Sequence, residues 1–185
     1  MSFMIVVAIL AAAALYGIMI YNKLVKNRQM VQEGWSGIDV QLKRRSNLIP
    51  NLLAAVKGYM SHEKSLLEDI TAMRAKAQQA ENADPETRAK AEGALSGGLL
   101  KLFAVMENYP DLKANQNVMD FQNSLEEIED QIQMSRRYYN GAVRNMNVLV
   151  ESFPSNFIAN YFKFEKSEFF EIEDAAARKL PKVEF

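Results

Sequence analysis

The sequence contains no cysteine and a single histidine, His62. The absence of cysteine excludes disulfides, thiol nucleophiles and cysteine-ligated metals. A histidine-ligated metal cluster has no second member, and the neighbours Ser61 and Glu63 would not face each other on a helix. There is no phosphate-binding glycine loop and no dinucleotide-binding glycine pattern. We therefore predict that the protein is not an enzyme and uses no cofactor, metal or small-molecule substrate.

The chain also lacks an excess of either charge, because its formal net charge is −1 at pH 7. Composition thus gives no reason to expect nucleic-acid binding. Charge is missing altogether from residues 1–22, whereas residues 23–45 carry eight charged side chains. A helix needs roughly 20 apolar residues to cross a hydrocarbon core about 30 Å thick. The run from Phe3 to Tyr21 meets that length.

A retained transmembrane anchor and a cleaved signal peptide are the two interpretations of this run. A signal peptide has a positive leading segment and a small-residue cleavage site. Here no Lys or Arg precedes the run, and it ends in a poor cleavage site, Gly17–Tyr21. We predict a retained anchor over residues 1–22. The side chains that we assign to the membrane span include Phe3, Ile5, Leu10, Leu15 and Ile20.

A basic patch follows the anchor. Its members are Lys23, Lys26, Arg28, Lys43, Arg44 and Arg45. Two acidic residues lie in the same segment. The positive-inside rule places the C-terminal part in the cytoplasm, although the amino terminus adds a positive charge on the other side. The same basic residues are candidates for contact with anionic lipid or acidic partners.

Beyond the anchor, apolar residues recur at intervals of three and four, which is typical of packed helices. Pro50 predicts a kink, and a break over residues 58–61 is left open by the periodicity. The predicted helices are residues 24–59, 62–81, 85–108 and 116–152. We predict an all-α protein, in which an N-terminal transmembrane helix continues into an elongated antiparallel four-helix bundle, residues 23–153.

Some charged residues interrupt the apolar periodicity of the predicted helices. Arg45 and Glu63 occupy positions in the apolar seam, where a charge costs stability unless it is paired. An acidic run, residues 126–130, lies on the outer face of the last long helix. In an antiparallel bundle this run would meet the basic cluster at residues 43–45. The alternative is two solvated faces, because exposed ion pairs contribute little stability.

The C-terminal tail, residues 154–185, interleaves phenylalanine with charge. We expect its rings to pack onto the bundle. The alternative is a partner surface, because exposed aromatic patches mark interaction sites. The candidates for that surface are Phe162, Phe164, Phe169, Phe170 and Phe185.

Several motifs together resemble the LemA family. They lie at Tyr21–Val25, Trp35–Leu52, Val56–Tyr59, His62–Glu63, Arg136–Asn140, Phe153–Asn156 and Pro181–Phe185. The resemblance implies a bacterial source, one N-terminal transmembrane helix, a four-helix bundle and a helix break near residues 58–61. It implies no enzymatic activity and transfers no catalytic residue.

These observations favour a single-pass protein of the bacterial inner membrane that acts as a non-enzymatic scaffold or interaction protein. Its expected partners are the lipid bilayer and either further copies of the chain or other membrane proteins. An alternative is a membrane-organising or membrane-remodelling protein that contacts lipid through its basic and aromatic residues.

Overall fold

The computed structural model describes residues 1–171, and that part of the chain is all-α, without a strand. The described residues form six helices: α1 (Ser2–Lys57), α2 (Lys64–Gln79), α3 (Pro85–Met106), α4 (Pro110–Lys113), α5 (Gln116–Glu151) and α6 (Ser155–Tyr161). They form two compact units. The first unit comprises residues 1–38 and 135–169, and the second comprises residues 39–134 with residues 170–171. The predicted all-α class and the long apolar N-terminal helix are confirmed.

The first helix, α1, contains 56 residues and includes the whole apolar run. It is long and apolar enough to cross a membrane by length and composition. Of its most apolar 18-residue stretch, 6% is buried. The basic residues that follow the run lie in the same helix. The apolar segment therefore continues into charged sequence without a linker.

Pro50 lies inside α1. Proline has no N–H, so the carbonyl four residues earlier, that of Ser46, loses its helical donor. The Arg74 side chain of α2 replaces it, since its Nε donates to the Ser46 carbonyl oxygen at 2.7 Å. This contact accommodates a helix-breaking residue within the second unit.

The helix ends follow local chemistry. The helix α1 ends at Lys57, before Gly58, and α2 begins at Lys64. Asp84 caps α3, because its Oδ1 accepts a hydrogen bond from the Thr87 N–H at 2.8 Å. Pro85 occupies the first helical position, where its missing N–H costs nothing.

The core of the second unit is built from apolar side chains of α1, α2, α3, α4 and α5. Its fully or almost fully buried members include Ile49, Leu52, Val56, Ile70, Leu95, Leu102, Leu112 and Val118. The helices α2 and α3 approach closely at Gly98, where an added Cβ would lie 2.8 Å from the sulfur of Met73. A glycine is therefore required at this crossing unless the Met73 side chain moves.

The first unit joins the early part of α1 to the later part of α5. An added Cβ at Gly34 would lie 2.9 Å from the Tyr139 Cα, so the two helix backbones nearly touch there. The ring of Trp35 packs beside that of Tyr139, with centroids 5.4 Å apart. The phenol of Tyr139 donates to the Glu168 carbonyl at 2.8 Å, and burial raises the pKa of Tyr139 to about 12. This contact fastens the chain after α6 to α5.

Candidate functional site

The residues assigned to the membrane span lie on the exposed part of α1. Phe3, Ile5, Leu10 and Leu15 are each more than half exposed. Ile20 instead packs against a small core cluster of the first unit. The apolar run is thus largely uncovered within the described residues, and the first contacts with other helices occur at its C-terminal end.

The small core cluster lies where α6 and the chain after it meet α1 and α5. Its buried members are Leu24, Met146, Ala159 and Phe164. The ring of Tyr21 packs against that of Phe162, with centroids 4.7 Å apart. The last turns of the apolar run are therefore in contact with the tail.

An exposed set of rings surrounds α6. We call it the aromatic face: Phe153, Phe157 and Tyr161, which are 79%, 65% and 80% exposed. These three residues are not among the candidates predicted for a partner surface. A signal for them was present, because residues 152–162 carry no charged side chain.

Three basic residues of the predicted patch are exposed on α1 just after the apolar run: Lys23, Lys26 and Arg28. The Arg28 guanidinium carbon lies 5.1 Å from the centroid of the Phe164 ring, a cation–π contact. All three side chains are exposed. Arg28 keeps its charge available for an anionic surface, because it rests on a ring and is not in an ion pair of the described residues.

Arg45 does not belong to an accessible basic patch, so that part of the prediction is wrong. Its side chain is fully buried. One guanidinium nitrogen, Nη2, lies 2.5 Å from Glu92 Oε2, and the other, Nη1, lies 2.7 Å from Glu129 Oε2. Nη1 also donates to Ser96 Oγ at 2.5 Å. The helix turns by about 100° per residue, which directs Arg45 inward although Arg44 beside it is exposed. The expected contact of the acidic run with the basic cluster is confirmed for Glu129.

Lys43 is exposed but paired. Its Nζ lies 3.0 Å from Asp39 Oδ2 and 2.7 Å from Glu81 Oε1. Arg88 Nη2 lies 2.5 Å from Asp39 Oδ1. Burial opposes ionisation of Asp39, but the hydrogen bonds from Arg88 and Lys43 outweigh it and hold the pKa of that carboxyl below its usual value. Hydrogen bonds to Glu81 and Asp39 raise the pKa of Lys43. The charge of Lys43 is thus largely compensated within the second unit.

A cleft of about 240 Å³ opens beside these groups, lined by residues that include Lys43, Ser46, Glu81, Arg88 and Glu92. Its lining carries both signs of charge, and the ion pairs just described join them to one another. Among residues 1–171, no group of three or more His, Cys, Asp or Glu is arranged to hold a metal ion. The arrangement provides electrostatic cross-links between helices, and the Ser96 hydroxyl that donates to Glu129 Oε1 at 3.1 Å belongs to the same network.

The phenylalanines of the tail divide into two groups. Phe164 and Phe170 are buried, so their assignment to an exposed partner surface is wrong. Their burial agrees with the first expectation, that the rings of the tail pack onto the helices. Phe162 and Phe169 are 49% and 40% exposed. Phe185 lies outside the described residues.

Comparison with known proteins gives the family. A model of the LemA family matches residues 34–185. The chain is 25% identical over 198 residues to the magnetosome proteins MamQ 1 and MamQ 2 of Paramagnetospirillum magneticum, an alignment that covers 93% of this chain and 73% of each relative. It is 28% identical over 143 residues to protein LemA of Metamycoplasma hominis, covering 75% of this chain and 63% of that protein. Because the family model matches most of the sequence, the chain belongs to the LemA family.

Proposed function

We propose that this protein is a membrane-anchored scaffold or interaction protein, in which α1 crosses the bilayer once and the following helices present binding surfaces next to it. The observation that carries the proposal is the uncovered apolar run of α1. Residues 3–21 contain nine Val, Leu, Ile and Phe side chains. At roughly 0.3–0.6 kcal/mol each, insertion of these side chains is favourable by roughly 3–5 kcal/mol.

Extraction of native membranes tests the anchor. We expect the full-length protein to remain in the membrane pellet after washing with alkaline carbonate, and to be released by detergent. The matched variant replaces Leu10 and Leu15 with Arg, each of which opposes insertion by about 2.5–3.5 kcal/mol. That variant should move to the soluble or degraded fraction. The intact mass of the mature protein then distinguishes a retained anchor from a cleaved signal peptide, and loss of residues 1–22 would contradict the proposal.

The proposal includes an orientation in the bacterial inner membrane with the C-terminal part in the cytoplasm. It is supported by the exposed residues Lys23, Lys26 and Arg28, which follow the apolar run. The absence of native cysteine allows a direct test with one introduced thiol. We expect a thiol at the exposed position Arg137 to resist a membrane-impermeant maleimide in intact cells and to react after lysis. Reaction of this thiol in intact cells would show that the C-terminal part lies outside the cytoplasm.

A non-enzymatic role is supported by the way in which the charged groups are used. Inside the second unit, Arg45 forms ion pairs with both Glu92 and Glu129. Charges that are occupied in holding helices together are not arranged to act on a substrate. The proposed partners are therefore macromolecular: the bilayer, and further copies of this chain or other membrane proteins.

Self-association is tested by chemical crosslinking in native membranes, followed by purification under denaturing conditions. We expect crosslinked species larger than the monomer, and they should persist when the protein is expressed at its natural level. A product that is only monomer, with no partner recovered alongside it, would contradict a scaffold role.

A second function, organisation or remodelling of the membrane, is favoured by one observation: the exposed residues Lys23, Lys26 and Arg28 directly follow Tyr21, whose ring contacts the 49% exposed ring of Phe162. The corresponding variant replaces Lys23, Lys26 and Arg28 with Gln. If remodelling is the function, the full-length protein reconstituted in anionic vesicles should change their shape in electron micrographs, and the variant should not. Unchanged vesicles with both proteins would leave only the scaffold role.

A further inference from the structure

The chain contains a second uncharged stretch, far from the first in sequence. Residues 152–162 carry no charged side chain, and they are bracketed by Glu151 and Lys163. They include the end of the loop after α5 and the whole of α6. Large apolar rings that are exposed together mark a surface that contacts something other than bulk water.

One face of α6 is buried against α1. Ala159 is fully buried in the small core cluster. Ile158 reaches the apolar run itself, because its Cδ1 lies 3.7 Å from the place that a Cβ on Gly17 would occupy. The short helix is therefore held against the last turns of the run.

The opposite face of α6 is the aromatic face. The rings of Phe153 and Phe157 contact each other edge to face, with centroids 5.8 Å apart. Tyr161 packs in the same manner against Phe162, at 4.9 Å. Despite these contacts, Phe153, Phe157 and Tyr161 are, together with Phe3, the four most exposed aromatic side chains of the described residues.

The two uncharged stretches end at the same level. In α1 the first charged residue is Lys23, two positions after Tyr21, and after α6 it is Lys163, one position after Phe162. Tyr21 and Phe162 are in ring contact. Gly17 precedes Tyr21 by four residues, or about 6 Å along a helix at 1.5 Å per residue. Along α1, the contact of Ile158 with Gly17 thus lies about 6 Å further from Lys23 than the contact of Phe162 with Tyr21.

We propose that the aromatic face of α6 is a second membrane contact, in which Phe153, Phe157 and Tyr161 enter the lipid interface beside the point where α1 leaves the bilayer. This inference rests on the proposed crossing of the membrane by α1. The occupant is lipid because α6 and the adjoining Phe162 contact α1 at Gly17 and Tyr21, and between those two contacts Ile18 and Met19 of the apolar run are also more than half exposed.

The contact is interfacial and does not enter the hydrocarbon core. Residues 152–154 are not helical, and non-helical backbone facing lipid in the core would leave polar groups unsatisfied. Asn160 is exposed on α6 and also requires a polar surrounding. Interfacial helices bury their apolar faces by about 5–10 Å, and the spacing of about 6 Å between the Gly17 and Tyr21 contacts of α6 and Phe162 falls in that range. Rings that have a polar end, such as that of Tyr161, are enriched at this depth.

The test uses single thiols in the cysteine-free chain. Three full-length variants, Phe157→Cys, Ile18→Cys and Arg137→Cys, are labelled with bimane and reconstituted in phosphatidylcholine–phosphatidylglycerol vesicles. All three positions are exposed, so labelling disturbs no core contact. Quenching is measured with doxyl-labelled lipid and, separately, with iodide in the water. Ile18 reports insertion of α1, and Arg137 reports the part of the first unit that lies away from the apolar run.

We expect the label at Phe157 to be quenched by doxyl lipid as strongly as that at Ile18, and to be protected from iodide, whereas the label at Arg137 responds in the opposite way. Doxyl quenching at Ile18 with iodide quenching at Phe157 would overturn the inference and leave the anchor intact. Iodide quenching at both positions would overturn the anchor as well. Comparison of doxyl groups near the headgroup with groups deep in the acyl chain gives the depth, and maximal quenching of the Phe157 label by the deep group would overturn the interfacial placement.

Discussion

Replacement of Arg45 by Met is the most informative perturbation of the second unit. Met is of similar length and has good helix propensity, so the substitution removes the guanidinium and its charge with little change of shape. The carboxylate of Glu92 would lose the ion pair at 2.5 Å while its side chain stays 7% exposed. Glu129 would lose its pair at 2.7 Å, but that side chain is 35% exposed and can be hydrated.

The expected loss of stability is dominated by Glu92. Removal of one partner from a buried ion pair costs about 3–5 kcal/mol, because the other charge is left buried without compensation. A half-solvated pair such as that with Glu129 contributes up to about 1 kcal/mol. Domains of this kind are stable by about 5–15 kcal/mol, so Arg45→Met should remove a large fraction of the total. The double variant Arg45→Met/Glu92→Met should regain most of the loss, because no buried charge remains.

The measurement is urea denaturation of the full-length protein in a mild detergent, followed by far-ultraviolet circular dichroism. The control is Arg44→Met, at the exposed neighbouring position, which should change the free energy of unfolding by less than about 0.5 kcal/mol. Equal stability of the Arg45 and Arg44 variants would refute the burial of the ion pair. So would a double variant that is less stable than Arg45→Met alone.

Three further outcomes are expected from the same unfolding assay. Gly34→Ala should destabilise the protein by about 1–3 kcal/mol, because its Cβ would overlap the facing backbone at 2.9 Å. Gly141→Ala, whose Cβ would meet nothing within 4 Å, should stabilise it by up to about 1 kcal/mol. If Gly141→Ala were the less stable of the two variants, the close approach at Gly34 would be contradicted. Arg74→Met should cost about 1 kcal/mol in the wild-type background and almost nothing in Pro50→Ala, where a backbone N–H is restored to the same carbonyl; equal costs in both backgrounds would show that the contact does not substitute for the missing donor. Asp39→Asn should be less stable than wild type at neutral pH, and the difference should vanish as the pH falls below the usual Asp pKa of 3.8. A carboxyl whose pKa is lowered in the folded state stabilises the fold above that pH and loses this contribution as it is protonated. A stability difference that does not depend on pH would exclude the ion pairs as its cause.

Features set by neighbouring residues could be predicted from the sequence. The start of α3 is an example, because Asp84 supplies the cap and Pro85 the first position from within one turn. The length and polarity of the apolar run are likewise properties of consecutive residues, and they predicted the long apolar helix that the structure contains.

Features that depend on the direction of a side chain were predicted less well. Arg45 was grouped with Lys43 and Arg44 because they are adjacent, whereas its position in the apolar seam pointed inward, where the structure places it. Adjacency in sequence and a shared face are different properties of a helix, since successive residues differ in direction by about 100°. The periodicity was the better guide in this case.

The burial of Phe164 could not be predicted from local sequence, because it depends on the return of the tail to α1, where Tyr21 and Leu24 form its surroundings. The three rings of the aromatic face were missed for a different reason. The prediction of a partner surface rested on phenylalanine residues interleaved with charge, whereas these rings lie in a stretch without charge, residues 152–162.

The continuity of α1 has a consequence for rotation. Because α1 is unbroken from the apolar run to residue 38, the direction that each span residue faces is linked to the direction of every contact that α1 makes within the first unit. A contact between two spans through Ala8 and Ala12 would therefore determine which sides of the two first units face each other. Insertion of one alanine between these two positions would turn the upstream segment by about 100° relative to the rest. If α1 crosses the membrane as proposed, its apolar run would set the relative rotation of two assembled copies, independent of how tightly it holds the protein to the membrane.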